Sequence, residues 1–508
     1  MTNDRLDYPE HESASLPGGS DRRWTSALLV LLIAALLLAP VALCVALHAN
    51  KMDNDPDVWL HLRTAEWVIQ HRAVPRQDSF SSTMAGQPWV DYTWLFDLVV
   101  DGCYRLAGLR GLVAFGSLAM LAITAAVLAL IRRWQKSWLL GGIFAAMAIA
   151  GVLPLASPRP WLFTLLFFAW ELHLLLSAAE DRVPRRLLWL VPLFVIWANV
   201  HIQFTLGLFV LGLAVVESIV ARFIPETLVD RASSAISWRW MLGIFGLCVA
   251  ATLMNPYHAR LYVVAVQLLG QVELWNQITE LQAMSFRYSM HWVVLFTAID
   301  AAVAWGARRQ MRLLLALLFP FALYFSFRSQ RDQWVVVIVG VTMLAYATRG
   351  LALPRSFLRP RQRWAIGGIV ALGCAALWPF LSERRLAESL ARDFPVQAVA
   401  ELQRTGYAGP MFNPYPWGGY LTYFYRQQPV CMDGRTLVYG AARIVQHAKT
   451  LGGMKGWRDD PDLTRAGFAL VESRSALCAL LRLDPQFEVK YADDVATLFV
   501  RRTTAKGR

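Results

Sequence analysis

About eleven apolar runs, set apart by short polar connections, leave this 508-residue chain few folds to choose from. The runs lie near 24–48, 111–131, 138–155, 161–178, 187–200, 203–221, 240–254, 290–306, 313–327, 334–347 and 364–381. A hydrocarbon core of ~30 Å takes about 20 helical residues to cross, so each run reads as a transmembrane helix, several of them short. Hydrophobic residues make up 56% of the chain and charged residues 17%, too apolar a balance for a water-soluble protein. The expected fold is an α-helical polytopic membrane protein of about eleven spans. A composition change near Ser382 adds a C-terminal soluble α/β domain.

Charge then sets the topology. The net charge is +13, but the bases sit in short blocks between apolar runs, which points to topology signals and away from nucleic acid. Alternate connections carry Arg132, Arg133 and Lys136; Arg182, Arg185 and Arg186; Arg222, Arg231 and Arg239; Arg308, Arg309 and Arg312; and Arg349, Arg355, Arg359, Arg361 and Arg363. The positive-inside rule assigns all five to the cytoplasmic side of a cell inner (plasma) membrane. The N-terminus is then cytoplasmic, with a polar, disordered tail over 1–23. A transmembrane domain follows over 24–381, with a large extracytoplasmic first loop at 49–110, and 382–508 forms an extracytoplasmic domain. The first run is too long for a signal-peptide core and shows no small-residue cleavage site, so it reads as a retained anchor. None of the six cysteines has CxxC spacing; Cys431 and Cys478 share the soluble domain and could pair if it is extracytoplasmic, but unpaired buried thiols are the favoured reading.

Where the first run ends stands Asp53-Asn54-Asp55-Pro56-Asp57-Val58-Trp59-Leu60-His61-Leu62-Arg63-Thr64-Ala65-Glu66-Trp67. Val58, Leu62, Ala65 and Ile69 share one helical face, and Asp57, His61 and Thr64 another, which predicts an amphipathic helix on the membrane surface. Ordinary capping accounts for the acids as well: Asp55 as N-cap, Pro56 at the first helical position, and negative charge at the positive end of the helix dipole. A second surface helix is expected over 93–107, with Asp97 and Asp101 four residues apart.

The connections on the same side as this cluster are short. They contain Ser157-Pro158-Arg159-Pro160-Trp161, Asn199-Val200-His201-Ile202-Gln203, Asn255-Pro256-Tyr257-His258-Ala259-Arg260 and Phe327-Arg328-Ser329-Gln330-Arg331-Asp332. Snorkelling or helix capping explains any one of them. Their convergence on one face favours a site. Glu171 and Asp300 lie inside apolar runs, where a charge costs ~2.5–3.5 kcal/mol, so each is expected to find a partner.

In the C-terminal domain, helices are expected at 395–404, 438–451 and 475–483. Strands are expected at 410–413, 429–432, 468–471, 487–491 and 495–500. There is no Walker A loop and no GxGxxG fingerprint.

These residues resemble GT-C-type integral-membrane glycosyltransferases. Asn54-Asp55-Pro56-Asp57-Val58-Trp59 is similar to the first-loop motif of oligosaccharyltransferase catalytic subunits, where an Asp helps hold a divalent metal. Tyr415-Pro416-Trp417-Gly418-Gly419-Tyr420-Leu421, followed by Pro429-Val430-Cys431-Met432-Asp433-Gly434-Arg435, resembles their WWDYG region. Gly418 or Gly419 stands where that motif has its Asp, and Ser157-Pro158-Arg159-Pro160 has no acidic pair. Both departures weigh against asparagine glycosylation and toward the bacterial relatives that use polyprenyl-phosphate sugars.

The resemblance implies a transferase moving a sugar, with inversion, from a polyprenyl-phosphate donor in the membrane to a glycan, lipid or protein acceptor. It implies Asp57 as general base or ligand of a divalent cation (Mg or Mn), with Asp55 second. Arg159, Arg328 and Arg331 would hold phosphate, since guanidinium forks match its oxygens. His61 and His201 would hydrogen-bond sugar or phosphate, and Trp59, Trp89 and Trp417 would stack on sugar rings. Trp417-Gly418-Gly419-Tyr420 is expected as a tight turn over the site, with Tyr420 beside it. Two other functions fit the same pattern: a transporter or flippase of lipid-linked glycans, and a non-catalytic subunit of a glycan-assembly complex. Charges gathered at one face, with no internal repeat, favour the enzyme over the transporter.

Overall fold

A computed structural model describes residues 19–50 and 55–502, apart from 226, 231, 233–234, 272, 275–277, 309 and 352–357. Asp53, Asn54, Arg231, Arg309, Arg355, residues 1–18 of the tail and residues 503–508 lie outside the described residues.

The chain is mostly helical. The anchor α1 (Gly19–Asn50) leads to α2 (Asp57–His71), and a loop connects to α3 (Trp94–Trp134). The bundle continues with α4 (Trp138–Val152), α5 (Trp161–Glu180), α6 (Leu190–Val200), α7 (Phe204–Val220), α8 (Trp238–Thr252) and α9 (Arg260–Gly270). It closes with α10 (Ser289–Gly306), α11 (Leu313–Arg328), α12 (Trp334–Ala347) and α13 (Pro360–Leu377). Among the described residues six helices are long and apolar enough to cross a membrane, and shorter apolar helices stand among them. All residues of α12 are buried, as befits a helix that is apolar all round. Around it pack α3, α4, α10 and α11.

The five basic connections meet at one end of the bundle. Gln135 donates to the Thr348 carbonyl at 3.1 Å, and Arg133 pairs with Glu180 at 2.8 Å and Asp181 at 2.5 Å. Arg349 pairs with Asp230 at 3.1 Å and Arg312 with Glu217 at 3.3 Å. The alternation read from the sequence is therefore also a physical grouping.

Two expected helices are one. The surface helix over 93–107 and the run at 111–131 join as α3 across a kink at Ala107 and Gly108, where Gly108 takes φ 60°. The kink frees backbone N–H groups, and Glu383 accepts from Leu109 at 2.9 Å and Arg110 at 3.2 Å. The expectations for the two intramembrane carboxylates fail. Glu171 is fully buried with no hydrogen-bond partner among the described residues, and Asp300 lies exposed on α10.

The C-terminal domain opens with α14 (Glu383–Asp393), α15 (Val396–Thr405) and β1 (Met411–Phe412), then α16 (Gly418–Phe424), α17 (Thr436–Tyr439), α18 (Ala441–Leu451) and α19 (Pro461–Arg465). It ends with β2 (Phe468–Glu472), α20 (Ala476–Leu483), β3 (Phe487–Ala492) and β4 (Ala496–Arg501). The small mixed sheet runs β1-β2-β4-β3, with β1 parallel to β2 and the other pairs antiparallel. The expected helix 438–451 breaks at Gly440, φ 74°, into α17 and α18. The expected strand 429–432 is absent from the sheet. Val430 pairs instead with the first loop: Ser82 N donates to its carbonyl at 2.8 Å, and its own N–H reaches Phe80 O at 3.2 Å. Thus the domain is stitched to residues 80–83 and rests on α2, which packs against α16. Cys431 and Cys478 are both buried free thiols, with no disulfide between them.

Candidate active site

Four loops, the start of α2 and the C-terminal domain enclose a cavity of about 1130 Å³. Asp55 accepts the Asp57 N–H at 3.0 Å and so fixes the entry to α2. Asp57 and His61, one turn apart, then both face the cavity. Opposite them the α4–α5 loop supplies Arg159, whose guanidinium is shared by three carboxylates. Its Nε bonds Asp55, while Nη1 lies 3.5 Å from Asp57 and 3.1 Å from Glu280. Burial opposes the charge on Arg159, but Asp55, Asp57 and Glu280 outweigh it and hold its pKa well above the usual value. Asp57 is 31% exposed, toward this interior. Burial first, with Asp55 and Glu280 adding to it against Arg159, raises its pKa to about 6. Asp55 itself is buried behind Arg159 and does not line the cavity.

Farther along stand His201, Gln203, Arg328, Arg331 and Asp332. Trp197 donates its indole N–H to Thr164 Oγ1 at 3.0 Å, and Thr164 Oγ1 lies 2.8 Å from His201 Nδ1. We assign the Thr164 hydroxyl as donor to Nδ1, which leaves the Nε2–H of His201 as a donor. Burial, then Arg331 and His61, lowers its pKa to about 3, so it stays neutral. Gln203 Nε2 binds Asp332 at 3.0 Å, and Arg331 Nε is buried without a hydrogen-bond partner among the described residues. Beyond these groups the walls turn apolar, with Leu206 and Phe209 of α7, Val263 and Val266 of α9, and Phe321 and Phe325 of α11. Val263 and Val266 are 55% and 69% exposed, so this end opens at the bundle's apolar flank.

The expected site residues therefore divide. Asp57, His61, Arg159, His201, Arg328 and Arg331 all line one cavity. Trp417 and Tyr420 do not. Trp417 is buried and donates to the Asp393 carbonyl at 3.0 Å, and Tyr420 stacks on Phe394 and meets Trp59 edge-on. Their segment is the helix α16 rather than a turn, and Gly419 permits its close seating: a Cβ there would strike the Pro56 carbonyl. Trp59 belongs to the same core, whereas Trp89 does line the cavity and lies beneath Arg435 at 4.6 Å.

The C-terminal domain reaches the site through Gly434. A Cβ at this position would run into the Asp57 carboxylate, and Tyr415 donates to the Gly434 carbonyl at 3.2 Å. Arg435 beside it pairs with Asp78 and Asp433, both at 2.6 Å. Sequence reasoning passed over Asp91, Asp97, Glu280, Tyr415 and Gly434 as site residues. For Asp97 the signal was an acid amid apolar neighbours; for Gly434 there was none short of the fold.

Among the described residues, no three His, Cys, Asp or Glu side chains are arranged to hold a metal ion. The position between Asp55, Asp57 and Glu280 already has a cation, the Arg159 guanidinium. As arranged, these residues do not fit a divalent ion.

No family model matches the sequence, and no curated protein matches it. Solved structures do. The archaeal oligosaccharyltransferase AglB from Archaeoglobus fulgidus, in complex with an inhibitory peptide and a dolichol-phosphate, superposes with a TM-score of 0.52 at 10% identity. The match covers 90% of this chain and 70% of that one. An Archaeoglobus fulgidus oligosaccharyltransferase tethered with an acceptor peptide containing the NVT sequon gives 0.51 at 11% identity, with the same coverage. ArnT from Cupriavidus metallidurans bound to undecaprenyl phosphate gives 0.46 at 14% identity, over 95% of this chain and 99% of that one. Over most of its length the chain thus shares its fold with the oligosaccharyltransferase structures.

Proposed function

We propose that the protein is a membrane glycosyltransferase that moves a sugar from a polyprenyl-phosphate donor to a hydroxyl of a glycan, lipid or protein acceptor. The observation that carries this reading is one cavity with three chemically distinct parts. An acid–Arg cluster, the group of Arg328, Arg331 and His201, and an apolar wall that opens on the bundle's flank all line it. A polyprenyl-linked sugar carries the matching three chemistries: reacting carbon, phosphate and hydrocarbon tail. Arg331 and the Nε2–H of His201 suit phosphate oxygens, and the exposed valines of α9 suit a lipid chain.

Asp57 takes the proton of the acceptor hydroxyl while its oxygen attacks the anomeric carbon. The C1–O bond to phosphate breaks on the opposite face, polyprenyl phosphate leaves with the bonding electrons, and the configuration inverts. Arg159 keeps Asp57 in place without requiring a metal. The site faces the extracytoplasmic side of the inner membrane, about eleven helices spanning it, because the basic connections gather at the other end. A pathway for a transported glycan would place its polar groups near the midplane, whereas the polar lining here comes largely from connections between helices.

The test is release of free undecaprenyl phosphate by purified protein in nanodiscs, supplied with undecaprenyl-phosphate glucose, mannose or galactose and a membrane extract as acceptor source. Release above the level of the Asp57→Asn variant is expected with at least one donor. No release from any donor by folded protein would sink the reading.

A further inference from the structure

We propose that His61, held by Asp97, is the proton relay of this site. The proton that Asp57 takes from the acceptor passes to His61 Nε2. The inference rests on the transfer reading above and adds a group and a route to it.

The geometry comes first. His61 follows Asp57 by one helical turn on the same face of α2, and both side chains line the cavity. His61 Nδ1 lies 2.7 Å from Asp97 Oδ1. The imidazole side chain is 15% exposed and the carboxylate 1%. We assign the proton to Nδ1 with Asp97 as acceptor, which leaves a lone pair on Nε2; burial raises the Asp97 carboxyl well above its usual range, and the imidazole N–H it accepts is what favours its ionised form. Among the described residues no partner for Nε2 is recorded, while Nδ1 is fully engaged. His201 is the converse: its Nδ1 accepts and its Nε2 donates. One cavity thus holds two neutral imidazoles of opposite tautomer, one suited to giving a hydrogen bond and one to taking a proton.

The charges around His61 suit the imidazolium that forms. On its own element stand Asp55 and Asp57, and from the first loop and α3 come Asp91 and Asp97. Against them stand Arg159 and, across the cavity, His201 and Arg331. Asp91 Oδ2 is buried without a hydrogen-bond partner among the described residues. Burial raises the Asp91 and Asp97 carboxyls well above their usual range, and a positive charge on His61 favours the ionised form of both. Burial keeps the resting imidazole neutral.

The need for a relay follows from Arg159. Protonating Asp57 removes one of the three negative partners of a buried guanidinium, which favours passing the proton on. The proton leaves Asp57, bonds to His61 Nε2, and the carboxylate returns to Arg159. The imidazolium, steadied by Asp97 at Nδ1, gives its proton to cavity water as product leaves. No electron changes hands beyond the pair that leaves with phosphate.

Two measurements test this. In the first, His61→Gln and Asp97→Asn are compared with the parent for release of undecaprenyl phosphate over pH 5 to 9. Each is expected to lower kcat by at least about tenfold, less than the ~10²–10⁴ expected when the base is removed. Asp97→Asn is expected also to move the acid limb of the profile, which a merely structural role would not do. Unchanged kcat and pH profile in both variants, with Asp57→Asn inactive, overturn the relay and leave the transferase reading standing. The second needs no turnover: nitrogen NMR of ¹⁵N-histidine-labelled protein follows His61 through its titration. An Nδ1–H tautomer at neutral pH is expected, with a midpoint that falls in Asp57→Asn as the negative charge is lost. An Nε2–H tautomer, or a midpoint that ignores Asp57→Asn, overturns the relay even if no donor is ever turned over.

Discussion

Asp57 carries two demands that can be separated by pH. Burial raises its pKa to about 6, from 3.8 in the unfolded chain. Between these values the native state binds more protons than the unfolded state, so the contribution of this group to stability is complete below 3.8 and is lost as pH rises through about 6. As a base, however, Asp57 must be ionised, which holds only above that pH. Activity should therefore fall on the acid side of about 6, where this group stabilises most. Asp57→Asn should lower turnover by ~10²–10⁴. It should also melt higher than the parent at pH 7, with a difference that shrinks toward pH 4. Paired melting curves at four or five pH values check this, and a pH-independent difference would show that Asp57 ionisation costs the fold nothing. Glu66 marks the opposite kind of residue. It was legible in the sequence as a surface partner of Arg63, and it is that, at 3.2 Å, with Arg426 of the C-terminal domain added at 2.9 Å. The Arg63–Glu66 pair is partly buried, and Glu66→Gln keeps an acceptor for both arginines, so neither melting nor turnover should change by much.

At the scale of elements, two contacts decide how the site is held. Gly434 packs on the Asp57 carboxylate so closely that Gly434→Ala must push one of them aside. Asp57 is short and tied to Arg159, so the expected result is a displaced base. Turnover should drop by about tenfold or more, the scale of loss for a misplaced catalytic group. Melting of the C-terminal domain should stay near normal, and Gly243→Ala, where the added methyl meets open space, is the control. The second contact is the kink in α3. Glu383 replaces two hydrogen bonds lost at Gly108, so Glu383→Ala should destabilise by ~1 kcal/mol, the usual cost of a lost cap, read from a denaturant or thermal melt. These contacts also show where sequence reasoning stops. The face shared by Asp57 and His61 was legible because helical periodicity is local, and the apolar runs were legible because burial in lipid writes itself into composition. The pairing of Val430 with Ser81 was not, since 429–432 reads as a strand and Ser81 as part of a loop, and only the tertiary fold decides which edge a strand finds. Trp417 and Tyr420 misled for a related reason: aromatic residues beside glycines fit a ligand platform and a close helix contact equally well, and here both join one core, Tyr420 edge-on to Trp59.

Across the whole molecule, one asymmetry organises function: basic connections at one end, the cavity and the C-terminal domain at the other. The first end is held by pairs such as Arg133 with Asp181 and Arg349 with Asp230. At the second, the first loop, α2 and the C-terminal domain are joined through Val430, Glu66 and Gly434. These two ends must lie on opposite sides of a membrane crossed by the helices between them. Positive charge is retained on the cytoplasmic side, so the C-terminal domain should be extracytoplasmic. Single cysteines at Lys455 and Ser237, both exposed and one at each end, test the orientation. Cys431 and Cys478 are too buried to interfere, and Cys103 and Cys374, which are only partly buried, are first replaced by serine. In intact spheroplasts a membrane-impermeant maleimide should label Lys455→Cys and spare Ser237→Cys until the membrane is opened. The reverse pattern would invert the topology and move the proposed donor site to the cytoplasmic leaflet. Labelling of both before permeabilisation would mean that the helices between these ends do not form a closed span.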